Sequence, residues 1–192
     1  MVDMATLRSA YKAYNQSKQD YWDKFRNKVI EIYEGFADHL GIKDEEFIAV
    51  VDDEERPRKY LRYGGLSEGR FYNGWIPTYE REDAVGFTFR LYLDESKESK
   101  EKVRFDFTMK LTKKNDQYII LFPDDEKNKH DFSNMFDDIF GDGKRKNTNS
   151  TNNNSMKRKE KPKELLLTDG NEDLYDLLTQ EIIDSFDQAK WQ

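Results

Sequence analysis

The sequence predicts an α+β protein: a long N-terminal helix packed on a four- or five-stranded antiparallel meander, plus a C-terminal amphipathic helix. Three observations carry that expectation. Large apolar residues recur at spacings of three and four from Leu7 to Leu40, the rhythm changes to two in GFTFRLYLDE and KVRFDFTMKLTK, and a second helical stripe closes the chain.

The first stripe runs Leu7, Tyr11, Tyr14, Tyr21, Trp22, Phe25, Val29, Ile32, Phe36 and Leu40, with Lys18 filling its one gap, and Gly41 supplies a stop. At 1.5 Å per residue such a helix is a rod of about 50 Å, longer than a small sheet is wide. Its Tyr11 and Tyr14 end is therefore expected to overhang the domain and meet a second chain, or to break away as a separate helix.

After Gly41, FIAVV (residues 47–51) reads as a short buried strand and RKYLRY (58–63) as its partner. GGLSEGRFYNGWIP (64–77), with four glycines, reads as a loop carrying large aromatic groups. Phe87, Phe89, Leu91 and Leu93 face one way along the next strand, and Val103, Phe105, Phe107, Met109 and Leu111 do the same along its neighbour. SKESKEK joins the two, KKND (113–116) turns the second into QYIILFP, and an antiparallel meander is the economical topology. The apolar face needs a cover, which the first helix offers. Leu174, Leu177, Leu178, Ile182, Phe186 and Trp191 mark the last helix, starting near Asn171 or Asp173 and expected to return to the same domain.

Composition divides the chain into a domain at 1–123, an acidic aromatic segment at 124–143, a disordered basic and Asn-rich tether at 144–170, and the helix at 171–192. The acidic segment holds seven acids, with Phe132, Met135, Phe136, Ile139 and Phe140 near helical spacing, the pattern of a docking peptide or a packed turn. Residues 144–163 hold eight basic side chains and one acid, a charge of +7 in a chain of −7, so the remainder carries −14. A basic run grips nucleic acid when aromatics or a folded face accompany it. Neither is visible there, and a solvated tether is the simpler reading. An arm for nucleic acid and an acidic mimic of DNA are the rival readings.

Chemistry is sparse. The chain has no cysteine and two histidines, which excludes thiolate nucleophiles and sulfur-ligated zinc. His39 reads as a helix-end cation and His130 as a surface residue. Asp106 with Asp125, Glu126 and Lys127 is the one set resembling a metal-dependent phosphodiesterase, and its spacing fits poorly. YGGLSEG lacks the Lys-Ser/Thr of a phosphate loop. No apolar run reaches the roughly 20 residues of a membrane span, and a soluble, cytoplasmic protein without cofactor or metal is expected.

The expectation is a non-enzymatic protein-binding module, of the inhibitor, immunity or adaptor type, with a protein partner and self-association through the first helix as a further form. Arg90, Tyr92 and Arg104 alternate on the polar sheet face, ringed by Tyr72 and Trp75; Phe136, Phe140 and Trp191 are the other partner-binding candidates. Tyr, Trp and Arg dominate interface energies, and Trp75 is the first choice of anchor.

Overall fold

The computed structural model describes residues 3–51, 54–96, 99, 101–123 and 164–189. Helix α1 is one unbroken element, Met4–His39. It begins at Asp3, whose carboxylate accepts the Thr6 N–H at 2.8 Å. It ends in a Schellman turn: Gly41 adopts a φ of +69°, its N–H reaches the Asp38 carbonyl, and the Ile42 N–H reaches that of Ala37, both at 3.0 Å.

Two sheets follow. β1 (Glu46–Val51) and β2 (Glu54–Lys59) form a two-stranded arm. The arm is anchored through Phe47, which packs on Tyr60 and Tyr92 at 5.1 and 5.2 Å and lies under the Lys102 ammonium. The main sheet contains β3 (Leu61–Ser67), β4 (Arg70–Asn73), β5 (Thr78–Tyr79), β6 (Ala84–Leu93), β7 (Val103–Lys114), β8 (Gln117–Leu121) and β9 (Glu164–Leu166). Its order is β4-β3-β6-β7-β8-β9, with β5 paired to β6. Every pairing is antiparallel. The meander β6-β7-β8 is the part the sequence describes, and register places Phe87 opposite Met109, Phe89 opposite Phe107 and Leu91 opposite Phe105.

Among the described residues the main sheet has seven strands where four or five are expected, for reasons local to each addition. RKYLRY is not one strand: the chain passes from the arm to the main sheet at Tyr60. The stretch 64–77 is not a loop, since most of it forms the β3–β4 hairpin. Its first two glycines serve close packing. A Cβ at Gly64 would lie 2.2 Å from the Tyr72 carbonyl oxygen, and one at Gly65 would lie 2.6 Å from the Trp75 ring. The turn itself falls at Glu68 and Gly69, both with positive φ. Glu164–Leu166, expected within the tether, is β9 and pairs with the edge that β8 would otherwise leave open, while residues 144–163 lie outside the described residues.

The core lies between the apolar sheet face and two helices. Trp22, Phe25, Val29, Ile32 and Phe36 of α1 are buried in one cluster with Phe87, Phe89, Phe107 and Leu111. Helix α2 (Glu172–Ala189) adds Leu174, Tyr175, Leu178 and Ile182 to the same cluster. Tyr175 stacks on Phe36 at 5.8 Å and Phe186 meets Phe105 edge-on at 5.6 Å. The core therefore draws a strand and a helix from beyond residue 163.

Candidate functional site

Two surfaces stand out. The first is the polar face of the main sheet. Strand alternation sends Arg90 and Asp106 outward, and register sets them opposite each other. The Arg90 guanidinium donates to both Asp106 carboxylate oxygens at 2.7 Å, and the side chains are only 13% and 18% exposed. Phe71 roofs the pair, its ring 4.2 Å from the Arg90 guanidinium carbon and 5.5 Å from that of Arg62. Burial works against the charge on Arg90, but the Asp106 hydrogen bonds and carboxylate outweigh it, so the pKa lies above the ordinary guanidinium value. Arg104 approaches Asp106 at 3.6 Å from a more exposed position. Arg90 is thus committed to an internal partner.

The aromatic ring expected around this face is divided. Phe71 covers Arg90, whereas the next residue on β4, Tyr72, points to the opposite side. There it meets Trp75 edge-on at 5.8 Å, and Trp75 lies over Gly65. Tyr72 and Trp75 are 47% and 45% exposed, so the pair is available but stands apart from Arg90 and Arg104. Tyr92 packs on Phe47 of the arm. Phe136, Phe140 and Trp191 lie outside the described residues, as do His130 and the Asp125–Lys127 triplet.

Further along the polar face is a cavity of about 320 Å³, floored by Thr88 and Thr108 and walled by Leu66, Tyr79 and Phe122. The two hydroxyls pair at 3.0 Å. Thr88 is fully buried, and Lys110, which pairs with Glu82, sits at the rim over the Tyr79 ring. Sequence reasoning missed this feature because segment 77–82, which walls it, has no periodic signal.

The second surface is the N-terminal half of α1. Residues 3–17 are exposed throughout, and burial of the stripe begins at Trp22. Met4, Leu7, Tyr11 and Tyr14 are 62%, 54%, 67% and 63% exposed. They continue, in the same three-and-four phase, the stripe that α1 buries against the sheet. Among the described residues nothing covers them. At the root of this overhang is an open groove of about 370 Å³ lined by Tyr14, Tyr21, Trp22, Lys18 and Glu80. Lys18 bridges to Glu80 at 2.7 Å. The Tyr21 hydroxyl donates to the Asp83 carboxylate at 2.8 Å; partial burial and then that carboxylate push its pKa up to about 12. The overhang is basic: Arg8, Lys12 and Lys18 lie between Met4 and Gln19, a stretch without an acid.

Among the described residues no cluster of His, Asp or Glu is placed to hold a metal, and Asp106 is held by two arginines. His39 sits in the last turn of α1, packed on Tyr175 and 3.7 Å from Asp176. No described helix is long and apolar enough to cross a membrane. No family model, no curated protein and no solved structure matches the chain.

Proposed function

We propose that this chain is a non-enzymatic protein-binding module, of the adaptor, inhibitor or immunity type, that presents the N-terminal half of α1 to a partner. The observation that carries the reading is the exposed stripe Met4, Leu7, Tyr11 and Tyr14, in phase with the buried stripe of the same helix. Amphipathic helices gain most of their stability from packing an apolar face. An apolar stripe of about two heptads left in water is what a helix-in-groove or helix-to-helix contact consumes. The aromatic groove at its root offers a place for a partner's side chain, the kind of desolvated pocket in which hot-spot residues cluster. The exposed pair Tyr72 and Trp75 supports a secondary contact.

A photoreactive amino acid placed at Tyr11 or at Tyr14, in the cells from which the chain comes, tests this. Both positions are expected to yield the same discrete protein adduct, lost on Leu7→Asp, while Asn115 in the exposed β7–β8 turn yields none. Adducts no more frequent at 11 and 14 than at 115 would refute the reading. Adducts to nucleic acid alone would give the basic aromatic helix to the rival class.

A further inference from the structure

We propose that the overhang of α1 is the docking site for the chain's own acidic segment, residues 124–143. This deepens the reading of the overhang as a protein-docking surface and rests on it, because it names what occupies that surface when no partner does.

Charge is the first argument. Between Met4 and Gln19 the site offers Arg8 and Lys12 and no acid, Lys18 being already bridged to Glu80, whereas residues 124–143 carry seven acids and two lysines, a net −5. A second copy of the overhang would bring like charges together; the acidic segment brings opposite ones. Pattern is the second. Phe132, Met135, Phe136, Ile139 and Phe140 stand in the sequence at the spacing of one helix face, about 12 Å from first to last at helical rise, and the exposed stripe from Met4 to Tyr14 measures about 15 Å. Apolar spacings of similar reach in the sequence, one interspersed with acids and the other with bases, match in both respects.

Topology is the third. Leu121 of β8 is paired with Glu164 of β9, so the chain leaves and re-enters the sheet at one place. A hairpin there needs about two to five residues. Residues 122–163 supply 42, a length that closing the sheet does not require. The exit point is also near the site. Pro123 lines the same cavity as Tyr79 and Glu82, and Glu80 between them bridges to Lys18 at the root of the overhang. Tethered this closely, even a contact that is weak between separate molecules is populated, since short tethers give effective concentrations of about a millimolar.

Hydrogen–deuterium exchange on the full chain tests the proposal. Amides 5–17 are expected to exchange about tenfold faster in the variant Phe132→Ser, Met135→Ser, Phe136→Ser, Ile139→Ser, Phe140→Ser than in the parent. Arg8→Glu with Lys12→Glu should produce the same acceleration, and so should raising salt from about 50 to about 500 mM. The parent's protection should not depend on protein concentration, and unchanged exchange in β6 and β7 would show each variant folded. Equal exchange in parent and five-site variant would overturn the proposal. So would protection that survives the substitutions and grows with concentration, which assigns the overhang to a second copy. Photo-crosslinking to a partner at positions 11 and 14 is read separately: adducts without own-segment protection sink this inference alone, and protection without any partner sinks the reading beneath it.

Discussion

Gly35→Ala is the sharpest test of how the C-terminal helix is seated. In an isolated helix the change is favourable by about 1 kcal/mol, because alanine loses less backbone entropy. Here the added Cβ would lie 2.1 Å from the Tyr175 hydroxyl oxygen, 2.9 Å from Cζ and 3.3 Å from Cε2. The ring has little room to yield, since it is buried, stacked on Phe36 at 5.8 Å and flanked by His39 at 5.6 Å. Overpacking of this kind costs about 1–3 kcal/mol, and the depth of this overlap places it at the upper end. Subtracting the propensity gain leaves a loss of about 2 kcal/mol, or about 4–8 °C in Tm for a chain of this length. The sign should reverse once the ring is gone. In a Tyr175→Ala background, itself less stable by about 3–5 kcal/mol, Gly35→Ala should stabilise by about 1 kcal/mol, a coupling of about 3 kcal/mol. Urea unfolding of the four proteins measures all these terms. If Gly35→Ala stabilises by the same amount in both backgrounds, Tyr175 does not lie on Gly35 and the seating of α2 on α1 is wrong.

Three further outcomes follow from the sheet and the helix root. Asp106→Ala strands the Arg90 guanidinium beneath Phe71 and should cost about 3 kcal/mol in urea unfolding, whereas Arg104→Ala, at the exposed edge of the same carboxylate, should cost less than about 0.5 kcal/mol. Thr88→Val leaves the Thr108 hydroxyl without its partner and should cost about 1–2 kcal/mol, while the double change Thr88→Val with Thr108→Val should come out close to neutral. Tyr21 should be a late tyrosine in an ultraviolet titration, and Asp83→Asn should bring it back toward its usual range near pH 10. Because its folded pKa lies above the unfolded one, the stability linked to Tyr21 is intact below about pH 10 and is lost as pH rises through about 12.

The parts of the fold legible in the sequence are those whose packing imposes a period. Phe87 to Leu93 and Val103 to Leu111 alternate because one side meets α1 and the other meets solvent or a thin polar layer, and α1 shows its three-and-four stripe for the same reason. The unread parts lack a period. β9 is three residues long, too short to display one, and exists because β8 offers an unpaired edge. The β3–β4 hairpin was hidden by its glycines: adjacent glycines suggest a turn, yet at 64 and 65 the missing Cβ is what admits the Tyr72 backbone and the Trp75 ring. A rule based on backbone freedom cannot see a requirement set by what packs above the residue.

The same distinction governs the functional surfaces. Arg90 belongs to a residue class that dominates interfaces, but identity alone ignores register, and register delivers Asp106 opposite it with Phe71 on top. A side chain whose hydrogen bonds are already made within the chain has little left to offer a partner, because breaking them cancels what a new contact would gain. Met4, Leu7, Tyr11 and Tyr14 are in the contrary position. Their stripe is indistinguishable in sequence from the buried part of α1, and only length separates them: 36 residues make a helix of about 54 Å, and the sheet accepts it from Trp22 onward. What the core cannot reach remains helical because it is continuous with what the core holds, so the fold itself supplies a pre-ordered apolar rod. Pre-ordering lowers the entropy lost on docking. For that reason the proposed docking surface rests on the excess of helix over sheet and not on any enrichment of Trp, Tyr or Arg on the sheet.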